Sequence, residues 1–373
     1  MDFKGINRFV KIRLLLETEG VGIITILKLV ESFGTIDNLF LADEEQLRIE
    51  ANLNENIAKR LYLSIKNLST FNDNISREIE STLNKNIKIT TYWDDDYPIN
   101  LKNIYYPPLI LYSLGNISEM DNQSIAIVGT RKNTDYGKYV AQYFSSELAN
   151  KNITIVSGMA RGIDSIAHKA AIRENGRTIA VVGSGLDIIY PPENINLFNQ
   201  IIENGVVFSE FPLGTKPDAQ NFPKRNRIIA GLTLGTLVIE TKENGGAMQT
   251  AKFAFDQNKE VFAVPGNITS NQSNGTNILI QRNGAKLVRV PEDILLELQF
   301  NLTPDIGKTN IKSTIELSLF EEKVFNTLDI QPKQIDNIAI ESALSISDTL
   351  VNLLSLEFKG LIQQLPGKLF KKV

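Results

Sequence analysis

Residues 153–168, ITIVSGMARGIDSIAH, carry an apolar run of strand length, then a turn of small residues, then a helical pattern. Ser157 and Gly158 stand at the strand end and Gly162 opens the helix. The same plan recurs between residues 124 and 300, in SIAIVG, TIAVVG, GVVFSE, GTLVIE, EVFAVPG and AKLVRV. Short continuous apolar strands alternating with helices predict a mostly parallel sheet covered on both faces, in an α/β, doubly wound arrangement. Several of these strands run directly into a glycine-containing turn. Such turns gather at the carboxyl edge of the sheet, where doubly wound folds bind ligands.

Around this core, residues 1–75 read as a helical domain with two such units, GVGIITILKLVESFG and NENIAKRLYLSIKNL. They are compatible with a plain bundle, and also with a helix-hairpin-helix-like turn at Gly20-Val21-Gly22, although no lysine or arginine adjoins those glycines. Residues 76–300 form the core. Its opening segment, 87–117, reads as a strand, a Pro- and Tyr-rich loop and a second strand, with Asp94, Asp95 and Asp96 in a solvated acidic turn. Residues 301–315 read as a linker, and 316–373 as helices followed by a short hairpin, the pattern of a winged helix.

Bulk properties exclude more than they assign. The 373 residues have a net charge of −4, so contact with nucleic acid requires a local basic patch. There is no cysteine and a single histidine, His168. Disulfides, thiolate metal sites and a histidine-based triad are therefore not expected, and His168, within a helix and without an acidic partner, reads as structural. No apolar run has the length of a membrane span and no signal-peptide pattern opens the chain, so a cytoplasmic protein is expected.

Four turns supply candidate ligand contacts. The first holds Gly129, Thr130 and Arg131. It is not G-x-G-x-x-G, and no acid ends the second strand to hold a ribose, which argues against a dinucleotide. Arg131 can fork onto a phosphate or pair with a carboxylate such as Asp135. The second turn is Ser157–His168. The third contains Gly183, Ser184 and Gly185. The fourth contains Gly245 and Gly246 before a helix bearing Thr250 and Lys252. Together they suggest an extended phosphate-binding edge.

The stretch FPKRNRIIAGL, 222–232, adds Lys224, Arg225 and Arg227 at a helix start marked by Pro223. Cations there oppose the helix dipole and call for an anion, either a carboxylate from within (Glu210, Asp218 or Glu240) or a bound phosphate. The two arginines are about 200° apart around a helix. Arg225 is therefore expected before the helix or in its first turn, facing the glycine-rich edge. Its loss should weaken anion binding and leave the melting temperature nearly unchanged. Arg227 contacts a neighbouring phosphate or braces the turn through a carboxylate.

AIVGTR, SGMARGIDSIAH, GSGLDIIYPPEN, SEFPLGTKP, NFPKRNRIIAGL, GGAMQTA, VFAVPGNI and SNGTNILIQRNGA occur in this order. In these motifs the chain resembles the DNA-processing protein A family (DprA/Smf), densely over residues 120–290. The segment DDDYPINLKNIYYPPLILYSLGN and the winged-helix-like tail extend the resemblance over nearly the whole chain. It implies an extended Rossmann core that binds single-stranded DNA and loads RecA recombinase onto it during natural transformation. It also implies displacement of single-strand-binding protein and a homodimer. By the same resemblance Arg131, Arg225 and Arg227 contact phosphates, with Lys224 as an addition, while Ser157, Gly158 and Gly246 offer backbone or hydroxyl donors. Gly129, Thr130 and Lys252 complete the expected DNA-binding set, and Ile278, Leu279 and Ile280 form the expected dimer face. No catalytic residue, metal or cofactor is expected. Gly245 departs from the family's usual serine. The rival is a nucleotide-processing enzyme like the lysine-decarboxylase-like phosphoribohydrolases, but Lys252 stands where their fourth-turn glutamate belongs. A third reading, a winged-helix DNA binder, fits poorly with Asp348 and Glu357 on the helix that should read DNA.

Overall fold

The computed structural model describes residues 3–298, 317–329, 333–359, 361–365 and 369–372. They divide into two compact units, Met1–Leu302 and Thr303–Val373. In the first, six helices open the chain: α1 (Phe3–Glu17), α2 (Ile23–Phe33), α3 (Ile36–Leu39), α4 (Glu44–Glu50), α5 (Glu55–Lys66) and α6 (Leu68–Asn84). Next come β1 (Lys88–Thr91), α7 (Ile99–Lys102) and β2 (Ile110–Gly115). Strand and helix then alternate through β3 (Ser124–Val128), α8 (Asp135–Asn150), β4 (Thr154–Ser157), α9 (Ile163–Arg173), β5 (Thr178–Val182) and α10 (Ile195–Asn204). The alternation continues with β6 (Gly205–Ser209), α11 (Asn221–Leu232), β7 (Gly235–Val238), α12 (Gly246–Asp256), β8 (Glu260–Ala263), α13 (Asn274–Gln281), β9 (Lys286–Leu287) and α14 (Pro291–Glu297).

The sheet runs in the order β1-β2-β6-β5-β4-β3-β7-β8-β9. From β6 to β9 every pairing is parallel, and β1 and β2 add an antiparallel edge. Sequence order moves outward from β3 on one side and restarts at β7 on the other, so the topological switch point lies between β3 and β7. β3 shows why its residues make a central strand. Ile125 and Ile127 pack with Val140 and Phe144 of α8 and Ala167 of α9. Ala126 and Val128, on the opposite face, pack with Ile228 and Ile229 of α11 and Ala247 and Ala251 of α12. All five residues of β3 are buried, and each large apolar side chain so placed contributes about 1.5–3 kcal/mol.

The domain boundary expected near residue 75 falls inside α6. The opening helices share one hydrophobic cluster with the sheet: Phe9, Ile26, Leu29 and Leu61 belong with Ala180 and Val182 of β5, Val207 of β6 and Phe198 of α10. The acidic turn is more engaged than a solvated one. Asp94 pairs with Arg8 of α1 at 2.5 Å and accepts the Thr91 amide, while Asp95 is exposed.

In the second unit, α15 (Leu319–Thr327), β10 (Lys333–Gln334), α16 (Ile335–Ser342), α17 (Ile346–Phe358), β11 (Ile362–Leu365) and β12 (Leu369–Lys372) make a helical cluster with a three-stranded sheet in the order β10-β12-β11. This is the winged helix expected from the tail. The linker expected over 301–315 lies outside the described residues.

Candidate nucleic-acid interface

A cleft of about 650 Å³ opens at the carboxyl edge of the sheet, over the switch point. The turn after β3 lines it with Gly129, Thr130 and Arg131, the turn after β4 and the start of α9 with Ala160 and Asp164, and the turn after β7 and the start of α12 with Thr241, Lys242, Gly245 and Gly246. Tyr190 and, from α11, Phe222 and Arg225 complete its wall.

Arg131 is exposed and makes no ion pair with Asp135 among the described residues. Its guanidinium lies 5.3 Å from the centroid of the Phe222 ring, and that of Arg225 lies 5.9 Å from the same ring. Both guanidinium groups are thus within cation–π range of one ring, an attraction worth about 0.5–2 kcal/mol per pair.

Arg225 differs from its expected placement. α11 begins at Asn221, so Arg225 enters the second turn rather than the first, and it is 4% exposed. Its guanidinium donates to the Val181 carbonyl of β5 and lies against Gly158, where any Cβ would collide with it. Burial lowers its pKa to about 10; Asp164 opposes that shift and Arg131 adds to it. Asp164 is also buried. Desolvation pushes its carboxyl up, against the pull of Arg225 and of the Ala160 and Gly158 amides that it accepts.

Arg227, about 200° further round the helix, donates to the Glu210 carboxylate at 2.5 Å. One of the three carboxylates foreseen as internal partners thus serves Arg227. Asp218 accepts the Gln220 amide at 2.8 Å instead. Lys224 is exposed and makes no ion pair among the described residues.

Two expected donors are committed elsewhere. The Ser157 hydroxyl is buried and donates to the Ile127 carbonyl at 2.6 Å, and the Gly158 amide donates to Asp164 at 3.2 Å. Neither presents a donor to the cleft; the missing side chain of Gly158 is what admits Arg225. The backbone at Gly246 is open. Gly246 is the first residue of α12, the helix has no side-chain cap and no acid in its first turn, and no atom lies within 4 Å of where a Cβ would stand. The Met248 amide is taken by the Gly245 carbonyl at 3.0 Å, so the open donors of the α12 N-terminus among the described residues are the Gly246 and Ala247 amides. Lys252 does not line this cleft. It lines a second one, of about 660 Å³, with Met248, Phe255, Leu279 and Gly284, and the two clefts share Gly245, Gly246 and Gln249. Ile278, Leu279 and Ile280 are each half-buried.

His168 is fully buried, its Nδ1 2.6 Å from the Thr178 hydroxyl, which itself donates to the Ile155 carbonyl. Nδ1 therefore carries the proton. Burial, helped by Arg225, lowers the ring pKa to about 3, which fits the structural role expected for it. Phe222, Tyr190 and Asp164 were not singled out as site residues. The only sequence signal for Phe222 is an aromatic immediately before the proline and the cation cluster, and its meaning needs the two arginines in space.

A family model described as DNA recombination-mediator protein A matches residues 88–299, and one described as the DprA winged helix domain matches 312–368. Protein Smf of Synechocystis is 34% identical over an alignment of 390 residues covering 95% of this chain and 96% of that protein. DNA processing protein DprA of Bacillus subtilis is 44% identical over 203 residues, covering 54% of this chain and 68% of its own. The X-ray structure of DNA processing protein A from Streptococcus pneumoniae matches with a TM-score of 0.66 at 32% identity, covering 80% of this chain and 99% of that one. The Helicobacter pylori structure, described for its single-stranded DNA binding mode, matches at 0.51 and 29% identity, covering 57% and 96%. A fold, a cleft and a sequence match extending over core and winged helix agree: the chain belongs to the DNA recombination-mediator protein A (DprA/Smf) family.

Proposed function

We propose that the chain binds single-stranded DNA along the carboxyl edge of its sheet and delivers the strand to a RecA recombinase in natural transformation. The observation that carries the reading is the cleft that joins Arg131, held on the Phe222 ring, to the uncapped N-terminus of α12. Arg131 takes a phosphate through its fork, and the Gly129–Thr130 and Gly246 backbone lines the path of the strand. Lys224 and Lys242, both exposed, extend the positive rim. Phe222 offers a ring face to a base, and a ring and phosphate contacts together grip a strand without reading its sequence. Arg225 acts from beneath, as buried positive charge.

Membership of the family and the single-stranded DNA binding described for the Helicobacter pylori relative support this reading. Delivery to RecA, displacement of single-strand-binding protein and action in the cytoplasm are the further steps of the same proposal. The second cleft, with Leu279 and the 68%-exposed Phe255, is the proposed face of a homodimer, where Lys252 lies at the border. A hydrolytic reading finds less support. Among the described residues Asp164 is the one carboxylate lining the first cleft, and backbone amides already hold it.

Fluorescence anisotropy with single-stranded and duplex oligonucleotides across a salt series tests the binding step. A preference for the single strand that weakens with salt is expected, and equal affinity for duplex overturns it. Stimulation of RecA filament formation on strands coated with single-strand-binding protein tests delivery. Turnover of nucleoside monophosphates that is lost on substituting a residue of the cleft would instead favour the enzyme.

A further inference from the structure

Glu240 follows β7 and is 1% exposed. Its carboxylate sits at the N-terminus of α8, where it accepts the Thr134 amide at 3.0 Å and the Thr134 hydroxyl at 2.5 Å. Its backbone carbonyl accepts the Thr130 amide at 2.7 Å. The Thr134 hydroxyl accepts in turn from the Gly137 amide at 3.1 Å. Gly137 is required by this packing, because a Cβ there would collide with the Glu240 carboxylate. Near the other end of the turn, the Thr130 carbonyl accepts the Ile163 amide at 3.2 Å, and Gly162, at φ +77°, leaves no room for a Cβ beside that carbonyl. The stretch from Gly129 to Thr134 is thus an arch pinned at both feet, with Arg131 near its crown over Phe222.

In an open α/β sheet, the N-terminus of the helix that follows the strand at the switch point is a ready seat for an anionic ligand. Here a carboxylate of the chain fills that seat. We propose that Glu240 is an internal anion that closes the α8 terminus to phosphate and, by fixing the arch, positions Arg131 for the incoming strand. Glu240 is a positioning residue, acting through Thr134 and Thr130. The inference rests on the reading of Arg131 as a phosphate contact.

A double-mutant cycle on the full chain separates the two claims. Wild type, Arg131→Ala, Glu240→Gln and the double variant are titrated with a fluorescein-labelled oligothymidylate over a range of NaCl concentrations. Arg131→Ala should lower affinity about tenfold and flatten the log–log salt slope by about 0.7, the loss of one single-strand phosphate contact. Glu240→Gln, which exchanges one acceptor oxygen for a donor, should flatten the slope by the same amount. The double variant should bind no more weakly than Arg131→Ala alone. Losses that multiply, or wild-type binding by Glu240→Gln, overturn the positioning role. No effect of Arg131→Ala overturns the phosphate contact itself. If Glu240→Gln does not fold, as judged by circular dichroism, Thr134→Val tests the same contact from the other side, with the same non-additivity expected and additivity fatal to the idea.

Discussion

Arg225 and Arg227 are two residues apart on one helix, with the same side chain and opposite surroundings. Arg225 points under the cleft, into space vacated by Gly158, and is held by the Val181 carbonyl and the field of Asp164. Arg227 turns away to a single carboxylate, Glu210, with side chains 12% and 20% exposed. The difference shows how a cluster of like charges at a helix start is divided. One cation is answered by a neighbouring acid and drops out of the electrostatic surface. The other is buried behind a binding face, on the Val181 carbonyl and in the field of Asp164, with no ion pair within 4 Å among the described residues.

The strongest way to break this contrast is Arg225→Ala. It leaves Asp164 buried without its cation and opens a void against Gly158, so a stability loss of about 3–5 kcal/mol is expected in urea unfolding. That replaces the expectation from sequence that the melting temperature would barely change. Gly158→Ala should produce a comparable loss by placing a methyl in the guanidinium's position; an undisturbed variant would show that Arg225 is not held as described.

Acid titration sharpens the contrast, because Arg225 is one of the two causes that depress His168. The unfolded chain takes up a proton at about pH 6.5, one that the folded interior refuses down to about 3. The contribution of this group is therefore fully present above pH 6.5 and is lost progressively as pH falls from there towards 3. Stability measured across that window should decline, His168→Gln should remove part of the decline, and Arg227→Ala should leave its shape unaltered.

Arg227→Ala itself should cost about 1.5–3 kcal/mol, since it strips a partly buried charge-assisted hydrogen bond, and should leave the salt slope of DNA binding unchanged. A flattened slope would put Arg227 on the DNA. Gly246→Ala is expected to have the smallest effect. With open space around the new methyl, stability should change by no more than about 0.5–1 kcal/mol. Affinity should fall a few-fold, by crowding the α12 amides, and an affinity equal to wild type in the same anisotropy assay would remove them from the path of the strand.

Much of this was legible in the sequence. Apolar runs such as SIAIVG and ITIVSG, each closed by a small residue, required a sheet buried on both faces and placed the turns on one edge. Glycine positions were legible as places of close approach, but not what approaches. Gly158 meets a guanidinium and Gly137 a carboxylate, and those partners lie 67 and 103 residues away. Ser157 is expected, by the family resemblance, to offer a donor to DNA; the Ile127 carbonyl of the neighbouring strand takes its hydroxyl. Glu240 carried a usable signal. An acid that directly follows an apolar strand at the centre of a sheet cannot stay unpaired, which points to a partner across the edge.

The cluster shared by the opening helices and the sheet bears on how the chain is made. Phe9, Ile26, Leu29 and Leu61 find Ala180, Val182 and Val207 only after β5 and β6 have been synthesised. The last of those strands ends at Ser209, and α6 ends at Asn84. At about 5–20 residues per second, the helices wait on the order of 10 s on the ribosome with an apolar face uncovered. That uncovered face makes them a natural station for a chaperone during translation.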